Sequence, residues 1–312
     1  MPTSTTWKII VNLTAGSNAQ RKWSQLEQQL HAATLPFDVC YTKSLGHAME
    51  LARDAVAEGY THFVAVGGDG TVHEVANGLL SQAHRPPDEL VLSAFATGTG
   101  NDWVRTYGIP TDTWAWTDYI QQGHPTPTDV GHLQYHTDAG DPRQRYFINV
   151  AGMAYDAFLV QEAQQRPGFG IARGLTYYYL ILKCLMKYDL RPAHIDFDGQ
   201  RITEHCYTIN VGICKYSGGG MQLVPHAVPD DGLLALTIAG KLSRPEVIRA
   251  TPALFSGKAL EVDKVSGYQT TDITVTAADP DHPLMVEADG EWLGYTPCRF
   301  GILPNALQVW VR

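Results

Sequence analysis

His62-Phe-Val-Ala-Val-Gly-Gly-Asp-Gly-Thr71 runs directly into Val72-His-Glu-Val-Ala-Asn-Gly-Leu-Leu80. The apolar run His62–Val66 predicts a short buried strand, and residues 71–80 predict a helix. Between them, Gly67, Gly68 and Gly70 surround Asp69. Glycines let a backbone approach a polyphosphate closely and aim N–H groups at it, while a carboxylate there faces the cation that accompanies phosphate. Thr71 and Glu74 have the T-x-x-E spacing of a capping box, so the loop is expected to feed straight into a helix whose dipole favours anions. The stretch predicts a nucleotide site at a strand-to-helix turn.

Outward from this turn, Trp7–Asn12, Phe37–Tyr41 and Leu90–Phe95 are further short apolar runs, separated by helical patterns near 18–33 and 46–58. Such alternation predicts the α/β class with a doubly wound parallel sheet. Two more small-residue loops, Asn12-Leu-Thr-Ala-Gly16 and Thr97-Gly-Thr-Gly-Asn-Asp102, follow strands of that sheet. Loops at the C-terminal ends of parallel strands converge on one crevice, so all three are expected to meet at the nucleotide.

From about residue 128 the pattern changes to strands and hairpins. Strands are predicted at Tyr146–Val150, His194–Phe197, Arg201–Asn210, Leu233–Ala239, Ile273–Ala277, Leu284–Glu287 and Leu307–Val311, with helices near 153–165, 172–187 and 243–256. Asp198-Gly199 is a strong hairpin signal. This half reads as an antiparallel β-sandwich domain with inserted helices. Gly123, Pro125 and Pro127 mark the boundary, giving a nucleotide-binding domain over 1–127 and a β-rich domain over 128–312 whose last strand packs back on the first.

Composition narrows the function. A chain of 312 residues buries about 75% of its unfolded surface and has room for a nucleotide site and a separate acceptor site. A net charge of −9 argues against nucleic acid as a partner. Five cysteines without a C-x-x-C pair predict neither a disulfide framework nor a zinc site, and fit a reducing cytosol. The first residues show no signal-peptide pattern, and no apolar run reaches the ~20 residues of a membrane span. No G-x-x-x-x-G-K-[ST], G-x-G-x-x-G, H-E-x-x-H or G-x-S-x-G occurs, so P-loop, hydride-transfer, zinc peptidase and serine hydrolase readings lack support.

Asp-Gly occurs four times, at 69–70, 198–199, 231–232 and 289–290. Asp198-Gly199 reads as a plain turn. Asp231 follows Gly218-Gly-Gly220 and Pro225, and Asp289 lies within Glu287-Ala-Asp-Gly-Glu291. In an extended strand Glu287, Asp289 and Glu291 would share one face, where repulsion demands a cation or a turn. The residues themselves leave two readings open, a solvated turn or a base with a metal-orienting partner. An ordinary carboxylate, with a pKa of about 4, is a weak base for an alcohol, yet phosphoryl transfer tolerates it because the proton leaves late.

Together these blocks resemble the diacylglycerol kinase catalytic family nearly end to end. The resemblance rests on Gly67-Gly-Asp-Gly-Thr71 with Glu74 and Asn77, Gly98-Thr-Gly-Asn-Asp102, Asp129 in Thr-Asp-Val-Gly131, and Phe147-Ile-Asn149 with Gly152. It continues through Gly218-Gly-Gly-Met221, Pro225 and Ala227 to Asp231-Gly-Leu-Leu234, and ends at Asp289-Gly-Glu291. It implies ATP contacts from Asn12 to Gly16, Thr42, Gly67, Gly68, Asp69, Gly70, Thr71, His73 and Thr99. It implies Mg²⁺ held by Asp231 and the backbone carbonyls of Val228 and Leu233. The implied catalytic set is Asp289, Glu291, Asp69 and Asp129, with Glu291 the proton acceptor and Asp129 near the lipid hydroxyl. Two departures stand out: the family carries proline at the position of Leu13, and Pro-Leu at Ala96-Thr97.

The resemblance implies an ATP- and Mg²⁺-dependent kinase for the hydroxyl of diacylglycerol or a related lipid, a step of phospholipid biosynthesis. It is expected in the cytoplasm, peripherally at the inner face of the membrane. Arg166, Arg173, Lys183, Lys187 and Arg191 stand against Asp189 alone, interleaved with Phe169, Ile171, Leu175 and Tyr177–Tyr179. Anionic headgroups attract each basic residue near the surface by ~1 kcal/mol, so this segment reads either as a membrane contact or as a helix with one solvated basic face. Acidic groups from both domains are expected around one triphosphate end, with closure excluding water. The alternatives are an NAD kinase-like phosphotransferase, against which the absence of an Asn-Glu pair stands, and a lipid- or nucleotide-binding protein without turnover. The acceptor lipid and the oligomeric state, a homodimer among the options, are not legible.

Overall fold

The computed structural model describes residues 6–16, 18–165 and 175–312, with the backbone alone over 175–179. The chain divides into two compact units, Met1–Asp129 with Asn305–Arg312, and Val130–Pro304.

In the first unit, strands β1 (Trp7–Val11), β2 (Phe37–Tyr41), β3 (His62–Gly67) and β4 (Val91–Ala96) alternate with helices α1 (Ala19–Ala32), α2 (His47–Ala57) and α3 (Asp69–Ser81). Helices α4 (Asp102–Thr106) and α5 (Thr113–Gln122) follow. β1 pairs in parallel with β2 and β3, and β3 with β4, giving the order β2-β1-β3-β4. β4 is buried along its whole length and β3 from Phe63 onward, as strands covered on both faces must be. α1 packs with α5, and α2 with α3. Trp23, Leu26 and Leu30 form the buried stripe of α1. The strand order reverses between β1 and β3, the point where a doubly wound sheet opens a ligand crevice.

The capping-box expectation is corrected. α3 begins at Asp69, two residues before Thr71, because extended Gly68 (φ −97°, ψ −175°) serves as its N-cap and an acidic first residue suits the helix dipole. Glu74 instead accepts the amides of Gly46 (2.9 Å) and Ala48 (3.0 Å). α2 starts at left-handed Gly46 with no side-chain cap of its own, so its cap comes from the neighbouring helix.

The second unit is antiparallel. β5 (His124–His136) enters it and pairs with β6 (Pro142–Phe147); β7 (Val150–Ala154) leads into α6 (Tyr155–Gln164) and α7 (Leu175–Lys187). Next come β8 (Arg191–Phe197), β9 (Gln200–Cys206), β10 (Thr208–Gly212), the ribbon β11 (Tyr216–Ser217) and β12 (Met221–Gln222), β13 (Leu234–Ala239) and α8 (Arg244–Phe255). β14 (Val265–Thr270), β15 (Asp272–Ala277), β16 (Met285–Ala288) and β17 (Glu291–Val311) complete the chain. Neighbouring strands run β14-β13-β10-β7-β16-β17, and from β17 through β15 and β8 to β9. Phe147 packs edge-on to Phe300 at 6.1 Å in the core, and a satellite core under α6 and α7 holds Tyr155, Leu159, Leu180, Cys184 and Tyr207. Burial of each such side chain contributes about 1.5–3 kcal/mol.

Asp198-Gly199 forms the expected two-residue hairpin, both residues at positive φ (48° and 73°). Two expected strands are split. Arg201–Asn210 breaks at Tyr207, whose amide donates to Ala239 O at 2.7 Å, so β9 pairs with β8 while β10 pairs with β7 and β13. Tyr146–Val150 breaks at Ile148-Asn149, whose amides leave the ladder for a carboxylate described below.

Candidate active site

β1, β3 and β4 end at one level, with Val11 opposite Val66 and Gly67 opposite Ala96, so the loops that follow start side by side. They are tied directly. Thr97 N and Gly98 N donate to Gly67 O at 2.8 and 3.3 Å. Thr97 Oγ1 donates to Ala15 O at 3.2 Å, and Asn12 Nδ2 to Thr71 Oγ1 at 3.1 Å. A Cβ on Gly98 would lie 2.6 Å from Gly68 Cα, and one on Gly16 would lie 2.5 Å from Thr97 O, so backbone meets backbone here only because side chains are missing. The three loops converge as their positions after the strands require. Thr97, where the resembling family has leucine, supplies one of the ties.

Asp69 is half-buried and holds a neighbouring loop. Its Oδ1 accepts the amides of Asp102 (2.8 Å) and Trp103 (3.1 Å), capping α4, whose own N-cap residue Asn101 is left-handed (φ 53°) and makes no side-chain cap. Burial first, and then the neighbouring Asp102 charge, push the Asp69 carboxyl up to about 6 against the pull of those amides. Asp69 is thus the pin between two of the loops. The Thr42 amide donates to Val11 O at 3.0 Å at the end of β2, while Gly70 and Thr99 are exposed. His73 is packed: it is 3% exposed, with Nε2 3.4 Å from Asn77 Nδ2 on the buried side of α3. Asp129 is 1% exposed and its Oδ1 accepts the Asn305 amide at 2.8 Å, so it tethers the returning C-terminal segment.

In the second unit Asp289 and Gly290 turn at φ 50° and 82°, with Ala288 paired to Glu291 across them, so the three acids do not line an extended strand. Each has its own partners. Asp289 Oδ2 accepts Ile148 N at 3.0 Å, and Oδ1 accepts Asn149 N at 3.0 Å and Val150 N at 3.1 Å. Three charge-assisted bonds to successive amides hold the break between β6 and β7, which gives Asp289 a structural duty. Glu287, 4% exposed, accepts Gly290 N at 2.8 Å and braces the turn from behind. Glu291 is half-buried and ion-paired with Arg145, and its side chain keeps 36% of its surface exposed. Nothing in the sequence joins Arg145 to Glu291, or residues 148–150 to Asp289; the neighbouring Phe147-Ile-Asn149 block was the one available hint.

Asp231 is exposed, its Oδ1 accepting Leu233 N at 2.9 Å and its Oδ2 accepting Gln269 Nε2 at 3.0 Å. Each oxygen keeps a further lone pair, and an oxygen-only set with one carboxylate suits a hard cation that retains waters. Among the described residues no cluster of three or more His, Cys, Asp or Glu side chains could hold a metal, so a cation at Asp231 would lean on carbonyls such as those of Val228 and Leu233. Within these limits the residues fit Mg²⁺.

Residues 6–133 match the diacylglycerol kinase catalytic domain, and residues 149–311, just over half of the chain, match the YegS C-terminal NAD kinase beta sandwich-like domain. The chain belongs to the diacylglycerol kinase catalytic family. Diacylglycerol kinases of Staphylococcus aureus strains bovine RF122 / ET3-1 and JH9 are each 28% identical to this family member over 305 residues, 97% of this chain and 91% of theirs. A diacylglycerol kinase from Bacillus anthracis strain Sterne shares its fold, with a TM-score of 0.72 and 21% identity over 100% of this chain and 98% of that one. Yeast NADH kinase complexed with NADH is similar in fold alone, at a TM-score of 0.53 and 11% identity over 99% of this chain and 84% of that one. This diacylglycerol kinase family member is a lipid kinase. No helix among its described residues is long and apolar enough to cross a membrane.

Proposed function

We propose that this lipid kinase transfers the γ-phosphoryl group of ATP, with Mg²⁺, to the hydroxyl of diacylglycerol or a related lipid at a membrane surface. The observation that carries this reading is the interlocked set of three small-residue loops at the switch point of the first unit, beside the N-terminus of α3. Backbone amides and the helix dipole there suit a polyphosphate. Asp69 keeps two of the loops in register. Glu291 receives the hydroxyl proton late in the transfer, as the acceptor oxygen bonds to Pγ and the bond from Pγ to the β–γ bridging oxygen breaks to release ADP. Arg145 aims Glu291, and the amide-bound Asp289 fixes the turn that presents it. Mg²⁺, when bound at Asp231 with the carbonyls of Val228 and Leu233, neutralises phosphate charge.

Each acyl CH₂ contributes about 0.8 kcal/mol to staying in a bilayer, so working at the surface costs less than lifting out a whole lipid. Lys183, Lys187 and Arg191, with exposed Leu182 (45%) and Met186 (63%), are the described part of the basic segment that would touch the headgroups. Arg166, Phe169, Ile171 and Arg173 lie outside the described residues. The test is transfer of label from γ-labelled ATP to mixed-lipid vesicles, with the product identified by mass spectrometry. Wild type is expected to label diacylglycerol, and Glu291→Gln to lose about 10²–10⁴-fold in kcat. Turnover near normal in Glu291→Gln, or labelling of no lipid by wild type, refutes the reading.

A further inference from the structure

The three-loop hub of the first unit offers amides to a triphosphate, yet the charged side chain on its central loop, Asp69, is anionic, and the chain as a whole carries −9. A positive group is expected to offset the phosphates. Lys22 is placed for it. The residue lies in the first turns of α1, directly after the Asn12–Gly16 loop, with its amide bonded to Asn18 O at 2.9 Å. Burial of Ala19, Trp23 and Leu26 fixes the rotation of the helix and leaves Lys22 half-buried along its edge. Its Nζ donates to Ala96 O at 3.2 Å. Ala96 is the last residue of β4, sits opposite Gly67, and precedes the Thr97 that ties this loop to Ala15. The ammonium group therefore rests at the junction of all three loops. Its described hydrogen bond is to an uncharged carbonyl, which occupies one of three N–H donors and leaves two for an incoming anion.

We infer that Lys22 is the phosphate-binding cation of this nucleotide site, moving from the Ala96 carbonyl onto a terminal phosphate of the bound nucleotide. The inference rests on the ATP reading above. A lysine acts on phosphate as a mobile point charge rather than a bidentate fork, so its charge matters more than its exact shape.

Equilibrium dialysis of the full chain against ATP and against adenosine, for wild type, Lys22→Met and Lys22→Arg, tests it. Lys22→Met is expected to weaken ATP binding about tenfold or more while leaving adenosine binding within about twofold, and Lys22→Arg to recover most of the loss. Equal ATP affinity in wild type and Lys22→Met overturns the inference and leaves the ATP reading standing. Parallel losses for ATP and adenosine, with a lowered melting temperature, make Lys22 a strut for the end of β4 and overturn it too. Failure of wild type to bind ATP brings down the reading and the inference together.

Discussion

Asp69 commits one carboxylate oxygen to two backbone amides, and that commitment governs its response to substitution and to pH. Its folded pKa of about 6 lies above the ~3.9 of an unfolded aspartate, so the fold favours the protonated form. The stability this contributes is complete below about pH 4 and is lost as pH rises through about 6. Asp69→Asn keeps an oxygen for both amides and removes the buried charge. Thermal melts are expected to place this variant above wild type at pH 8, with the gap closing by about pH 4; a gap that persists at pH 4 contradicts the argument. The acids at 69, 289 and 291 were visible as candidates from their glycine neighbours. Their duties were not, because a carboxylate's role depends on which N–H groups reach it. Asp289 meets amides some 140 residues away, and Glu291 meets Arg145.

At the scale of the element, Glu74 belongs to α3 in sequence and to α2 in function, since it caps the latter through Gly46 and Ala48. Glu74→Ala is expected to cost about 1–2 kcal/mol of stability by denaturant unfolding while kcat/KM changes less than twofold. A large kinetic loss with unchanged stability would instead give Glu74 a part in the chemistry. β1 to β4 and α1 to α3 were legible to within about two residues, because each is an apolar run or stripe bounded by glycines or polar loops, whereas α4 and α5 were not read from the sequence. The breaks at Ile148-Asn149 and at Tyr207 were not. Both interrupt apolar runs that continue by every local rule, and both are imposed by distant acceptors, the Asp289 carboxylate and the Ala239 carbonyl.

For the molecule as a whole, the last eight residues, Asn305–Arg312, belong to the first unit although the second lies between them in sequence. Gln308 and Val309 pair with Val91 and Leu92, the Tyr119 hydroxyl donates to Trp310 O, and Trp310 stacks edge-on to Trp7 at 5.2 Å. Deleting these residues would uncover β4 as an open edge. The truncated protein is expected to melt at a lower temperature and to aggregate in size-exclusion chromatography; an unchanged melt would show the segment to be dispensable. The proposed membrane contact is tested at the same scale. Charge reversal at Lys183 and Lys187 together is expected to weaken sedimentation with phosphatidylglycerol vesicles about tenfold or more, at ~1 kcal/mol per lost basic residue, and to leave phosphatidylcholine vesicles unaffected. Equal binding of both vesicle types by wild type would assign those lysines to an ordinary solvated face.

Hydrophobic period, glycine placement and turn dipeptides act over a few residues, and so the sequence by itself determined the parallel α/β half, the antiparallel half, the Asp198-Gly199 hairpin and the meeting of three loops at one end of a sheet. Which oxygen takes which proton is a matter of proximity in space. Tertiary structure alone decided that Asp69 pins α4, that Glu74 caps α2, that Asp129 tethers Asn305 and that Glu291 keeps a partly exposed side chain beside Arg145. Each of those partners is brought into reach by the folded sheet rather than by the chain.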